Sequence, residues 1–118
     1  PFHCPLMKPA EINLKKELGK TEFVDHHYPV ISNIQARPLT TGSSACEALI
    51  RQVCSPVRWA EIMQYLIDQE IGITIELGAG RILSGLMRRF NTNIRCFQVG
   101  DPGSLKTTVE ACENLIKS

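Results

Sequence analysis

Ile73-Thr74-Ile75-Glu76-Leu77-Gly78-Ala79-Gly80 is the stretch that decides the fold. Its first five residues are β-branched or apolar with polar alternation, and read as a strand. Gly78 and Gly80 then allow a tight turn. Ile82, Leu83, Leu86, Met87 and Phe90 follow at helical spacing. A strand that turns sharply into a helix is the building unit of an α/β protein. Downstream, Ile94 to Val99 reads as another strand. Asp101-Pro102 then opens a last helix with Leu105, Val109, Cys112 and Ile116 inward. Upstream, Pro29-Val30-Ile31-Ser32-Asn33-Ile34 reads as a short strand, ended by Arg37-Pro38 and a polar loop through Gly42. Helices fill the rest. Leu6, Ala10, Leu14 and Leu18 form one stripe, with Pro9 in the first turn and Gly19 as the stop. Ser44 and Glu47 fit a capping box for a helix running to about Cys54. Ser55-Pro56 fits an N-cap and first-turn proline for a helix with Trp59, Ile62, Met63 and Leu66 on one face.

Strands separated by helices predict a parallel sheet covered on both faces. Three strands make a small sheet whose edges both need cover, so the pattern predicts one piece of a larger α/β unit with further strands upstream. The length of 118 residues agrees with one domain or part of one. With 43% hydrophobic and 21% charged residues, the composition is that of a globular chain. A net charge of +1 gives no electrostatic footprint for nucleic acid or an anionic membrane surface. No apolar run is long enough to span a bilayer and no signal peptide is visible, which predicts a cytoplasmic location.

Five cysteines, with no C-x-x-C pair and no zinc-like spacing, predict reduced thiols, with Cys54, Cys96 and Cys112 as small core residues. His26 and His27 sit in a polar stretch and read as solvated loop residues. His3 stands between Phe2 and Cys4 just before a helix, where an imidazole can act as a base. The Gly78-Ala79-Gly80 turn offers backbone N–H groups to an anion. Preceded by Glu76, it resembles the first motif of adenosylmethionine-dependent methyltransferases. Ile82 stands where that pattern has a third glycine, however, and no acidic residue closes a following strand. A plain β–α turn is the simpler reading. Arg88-Arg89 reads as a solvated helix end that complements the helix dipole.

Four stretches in order carry a wider resemblance. They are Phe2-His3-Cys4-Pro5-Leu6-Met7-Lys8-Pro9-Ala10, then Pro29-Val30-Ile31-Ser32-Asn33, then Arg51-Gln52-Val53-Cys54-Ser55-Pro56-Val57-Arg58-Trp59, then Glu76-Leu77-Gly78-Ala79-Gly80 with Leu83-Ser84-Gly85-Leu86. Together they resemble malonyl-CoA:acyl carrier protein transacylases along essentially the whole chain. The resemblance implies that residues 1–118 are the C-terminal part of a hydrolase-like α/β main domain, without the half that carries the serine elbow and without the ferredoxin-like insert. It implies ping-pong transfer of a malonyl group from coenzyme A to the phosphopantetheine thiol of acyl carrier protein in fatty acid biosynthesis. His3 matches the family's catalytic histidine. Gln52 matches the residue whose backbone carbonyl receives the other imidazole N–H, and Phe2 matches the malonyl-selecting form of the motif. The partners implied are acyl carrier protein, a coenzyme A thioester and the N-terminal part of the same enzyme, with no bound cofactor or metal. Three departures stand out. No Gly-x-Ser-x-Gly elbow occurs, and Ala79 replaces the usual proline of the turn. No arginine of the chain sits in the motif of the family's malonate-pairing arginine. These 118 residues alone are therefore expected to be inactive.

Overall fold

The computed structural model describes residues 2–91 and 93–117, apart from the side chain of Ile116. It divides into two compact units, residues 1–65 and 66–118, with the boundary inside a helix.

The first unit begins with Cys4, which is extended because Pro5 follows it. A 3-10 turn over Pro5–Met7 leads into α1, Lys8–Leu18, with a proline in its first turn as expected. Leu14 and Leu18 are half-buried, but Ala10 is exposed, and Leu6 is 75% exposed and stands outside the expected stripe. The 3-10 turn explains this, because it puts Leu6 ahead of the helical repeat. Gly19 ends α1 in a right-handed conformation, its N–H donating to Lys15 O at 3.0 Å.

The strand expected at 29–34 is only two residues long. β1, Val30–Ile31, pairs antiparallel with β2, Pro38–Leu39, in a sheet of its own. The chain reverses because Ser32 N–H donates to Arg37 O at 3.0 Å and Ala36 N–H to Ser32 O at 2.8 Å, with Ala36 left-handed at φ 51°. This corrects the expected three-stranded parallel sheet. His26 is also corrected: it is half-buried, with Nδ1 3.2 Å from Leu39 O, while His27 is exposed.

Helix α2, Gly42–Gln52, starts earlier than the Ser44 reading predicts. Thr41 is the cap, its hydroxyl accepting from Ser44 N at 3.3 Å. The start is fixed by close contact. A Cβ on Gly42 would sit 2.5 Å from the Phe23 carbonyl, and Asp25 Oδ1 accepts from Gly42 N at 3.0 Å. Leu39, Ala45 and Ala48 form the buried cluster, with Phe23 and Ile34 against it. Ser55 closes α2 and does not open the next helix: its hydroxyl donates to Arg51 O at 2.8 Å. Helix α3, Trp59–Asp68, begins after Arg58, whose N–H donates to Asn33 O at 2.9 Å. Ile62 and Met63 are its buried residues.

In the second unit β3, Ile73–Leu77, pairs parallel with β4, Arg95–Val99, in the register Ile73↔Arg95 to Leu77↔Val99. Helix α4, Ile82–Phe90, packs on both strands, and α5, Pro102–Lys117, packs on β4. The expected α/β unit is present here. Gly78 and Gly80 hold φ of 126° and 91°, values that only glycine adopts readily. Burial is thinner than predicted. Ser84 and Met87 are the buried residues of α4, and Thr108 that of α5, while Leu105 and Val109 are exposed. Ile73, Ile75 and Leu77 leave one side of β3 open, so the sheet is not covered on both faces among the described residues. Among the described residues no disulfide forms, and the five thiols are only half-buried, Cys54, Cys96 and Cys112 included.

Candidate active site

The site is built where the start of the chain meets the end of α2. His3 Nδ1 lies 2.9 Å from the backbone oxygen of Gln52. A carbonyl oxygen only accepts, so the imidazole proton sits on Nδ1 and Nε2 is left as the acceptor of the neutral ring. The backbone of His3 is left-handed at φ 56°. A non-glycine residue there carries strain of about 1–3 kcal/mol, which gathers at functional positions. Proline-directed extension of Cys4 on one side and the Gln52 bond on the other hold the ring in that conformation.

The acceptor is itself fixed. Ser55 N–H also donates to Gln52 O, at 3.3 Å, and Cys54 N–H to Arg51 O at 3.3 Å. Helix α1 adds a carboxylate. Lys8 Nζ meets Glu11 Oε1 at 2.5 Å and holds that carboxyl below its ordinary range. The Glu11 carboxylate in turn pushes the Cys54 thiol up, which favours the unreactive neutral form. Phe2, the other expected site residue, is 81% exposed beside His3. Sequence reasoning missed Ser55 as a clamp on this turn, because Ser-Pro has the same signature as an N-cap.

The glycine turn of the second unit resolves differently. Glu76 Oε1 accepts from Leu83 N at 3.0 Å and Oε2 from Ser84 N at 2.8 Å. The Ser84 backbone N–H is the main cause that holds the Glu76 carboxyl below its ordinary range. The first-turn amides that an external anion would need are thus taken by the chain's own carboxylate, which counts against the methyltransferase-like reading. Among the described residues no group of His, Cys, Asp and Glu is arranged to hold a metal, and no helix is long and apolar enough to cross a membrane.

No family model matches the chain. Individual relatives do. The malonyl CoA-acyl carrier protein transacylase of Bacillus subtilis (strain 168) is 38% identical over 110 residues, 93% of this chain and 35% of that protein. The protein of the same name from Escherichia coli (strain K12) is 33% identical over 110 residues, 93% of this chain and 36% of that protein. A solved malonyl-transacylase in complex with a type II polyketide synthase acyl-carrier protein superposes with a TM-score of 0.86 at 36% identity, covering 94% of this chain and 36% of that one. An acyl carrier protein S-malonyltransferase from Vibrio cholerae O1 superposes with a TM-score of 0.84 at 39% identity, over 92% of this chain and 35% of that one. The chain matches malonyl-CoA:acyl carrier protein transacylases in both sequence and fold. It spans about a third of the length of the transacylases it matches and corresponds to a C-terminal portion of them. Its α/β architecture is that of the matching part of the transacylase structures.

Proposed function

We propose that this chain supplies the general base of a malonyl-CoA:acyl carrier protein transacylase acting in fatty acid biosynthesis. The observation that carries the reading is the 2.9 Å bond between His3 Nδ1 and the Gln52 carbonyl. That bond fixes the tautomer and leaves Nε2 free to take a proton, the job a carboxylate does in serine-protease triads. In this reading Nε2 accepts the proton of a serine hydroxyl that residues 1–118 do not provide. The serine oxygen attacks the malonyl thioester, and the imidazolium returns the proton to the departing coenzyme A thiolate. The ring then takes a proton from the phosphopantetheine thiol of acyl carrier protein, which attacks the acyl-enzyme. The serine oxygen leaves and recovers a proton from the imidazolium. Phe2, beside the base, favours malonyl over bulkier acyl groups.

The test uses the protein at its natural length. His3→Ala is expected to lower kcat/KM for malonyl transfer by about 10²–10⁴, with the melting temperature unchanged. Undiminished transfer by that variant overturns the reading. The 118-residue chain alone is expected to show no turnover, because the nucleophile lies outside it; malonyl transfer by that chain would overturn this part.

A further inference from the structure

The four arginines of the second unit, Arg81, Arg88, Arg89 and Arg95, form no ion pair among the described residues, although the unit is not short of acids. Four of its six acidic residues are committed elsewhere. Glu76 and Asp101 accept from the first turns of α4 and α5, and Glu110 and Glu113 approach Lys106 and Lys117. Two of the four arginines line one cleft. This cleft, of about 290 Å³, is lined by Arg81 and Arg88, by Ser84 and Gln98, and by Ser104 and Thr107 of α5, and no carboxylate lines it. Arg81 stands at the N-cap of α4 with a non-helical backbone and Arg88 in its last turn, and both line the cleft. Arg88 is braced, with Nη2 donating to Cys96 O at 3.1 Å, which leaves most of its donors unused. The Arg81 side chain makes no hydrogen bond or ion pair among the described residues.

The polar neighbours narrow the ligand class. Thr107 donates its hydroxyl to Gly103 O at 3.1 Å, Ser104 to Asp101 O at 2.9 Å, and Gln98 its amide to Gly78 O at 2.5 Å. These bonds occupy the hydroxyls of Ser104 and Thr107 and one amide N–H of Gln98, so the charged donors open to a ligand are the guanidinium N–H groups, with the second Gln98 N–H and the Thr108 hydroxyl as neutral donors beside them. Two guanidiniums in one cleft without an acid match the charge of a phosphate monoester, and their planar forks match its oxygens. The volume admits a phosphoryl group together with part of the molecule it esterifies. We propose that the cleft between α4 and α5 binds a phosphate group, gripped by Arg81 and Arg88. The inference is independent of the role given to His3.

The test titrates the natural-length protein at constant ionic strength with inorganic phosphate and with adenosine 3′,5′-bisphosphate. Saturable binding is expected, weakened about tenfold in Arg81→Gln and in Arg88→Gln, and unaltered in Arg89→Gln, which does not line the cleft. Tighter binding of the bisphosphate would identify an organic phosphate as the occupant, and equal binding the free ion. Absence of saturation with both probes, or an equal loss in all three variants, overturns the proposal. Should Arg88→Gln lower the melting temperature through its lost bond to Cys96, Arg81→Gln decides alone, because its side chain has no partner to lose.

Discussion

His3 and Glu76 are both polar residues held by main-chain atoms, but over very different spans. His3 meets a carbonyl 49 residues away, whereas Glu76 meets amides seven and eight residues on. The near pair closes a β–α turn and needs only that one turn to exist. The distant pair needs α1, the β1–β2 reversal and α2 to be in place first. A long-range contact costs loop-closure entropy that a local one does not. The first unit therefore depends on tight backbone approaches to hold its site, and the second on local capping.

That contrast can be broken or sharpened by substitution. The largest effect is expected on rate at His3, as above, with little on stability. Next is Gly42, where an added methyl meets the Phe23 backbone. Gly42→Ala is expected to destabilise by about 1–3 kcal/mol, read from urea unfolding of the natural-length protein. Gly85 lies inside α4 with open space around it, so Gly85→Ala should stabilise by about 0.4–1 kcal/mol. Shifts of the same sign at both glycines would erase the distinction between the units. The smallest effect concerns Glu76. Its carboxyl titrates below its ordinary value of 4.5 in the folded chain, so its contribution is fully present above that pH and is lost as pH falls through the lowered value. Glu76→Gln should lower the melting temperature near neutrality, and the gap to the unaltered protein should narrow in acid. A gap that stays constant with pH would mean that the charge of Glu76 does not support α4.

What could be read from sequence followed the same division. Glycines at 78 and 80, the acid at 76 and Asp101-Pro102 are local signals, and the β3–α4–β4–α5 run they predict is what forms. The partner of Val30–Ile31 was not legible, because it depends on a reversal at Ala36 that no glycine marks. The capping-box spacing of Ser44 and Glu47 points past the observed cap, Thr41, which carries no such pattern; close contact between Gly42 and Phe23 fixes the start. Leu105 and Val109 have helical spacing but lie exposed, since periodicity shows which residues share a face and not whether anything covers it. At the site, the identities of His3 and Gln52 came from motif resemblance. Spacing alone offers no reason for residues so far apart to meet.

One consequence follows from the kind of atom that receives the imidazole proton. Because the acceptor at position 52 belongs to the peptide bond, every one of the twenty genetically encoded residues carries it. Drift at that codon can change the side chain without deleting the partner of His3. An ionisable triad member has no such protection, since a single nucleotide change can remove its carboxylate.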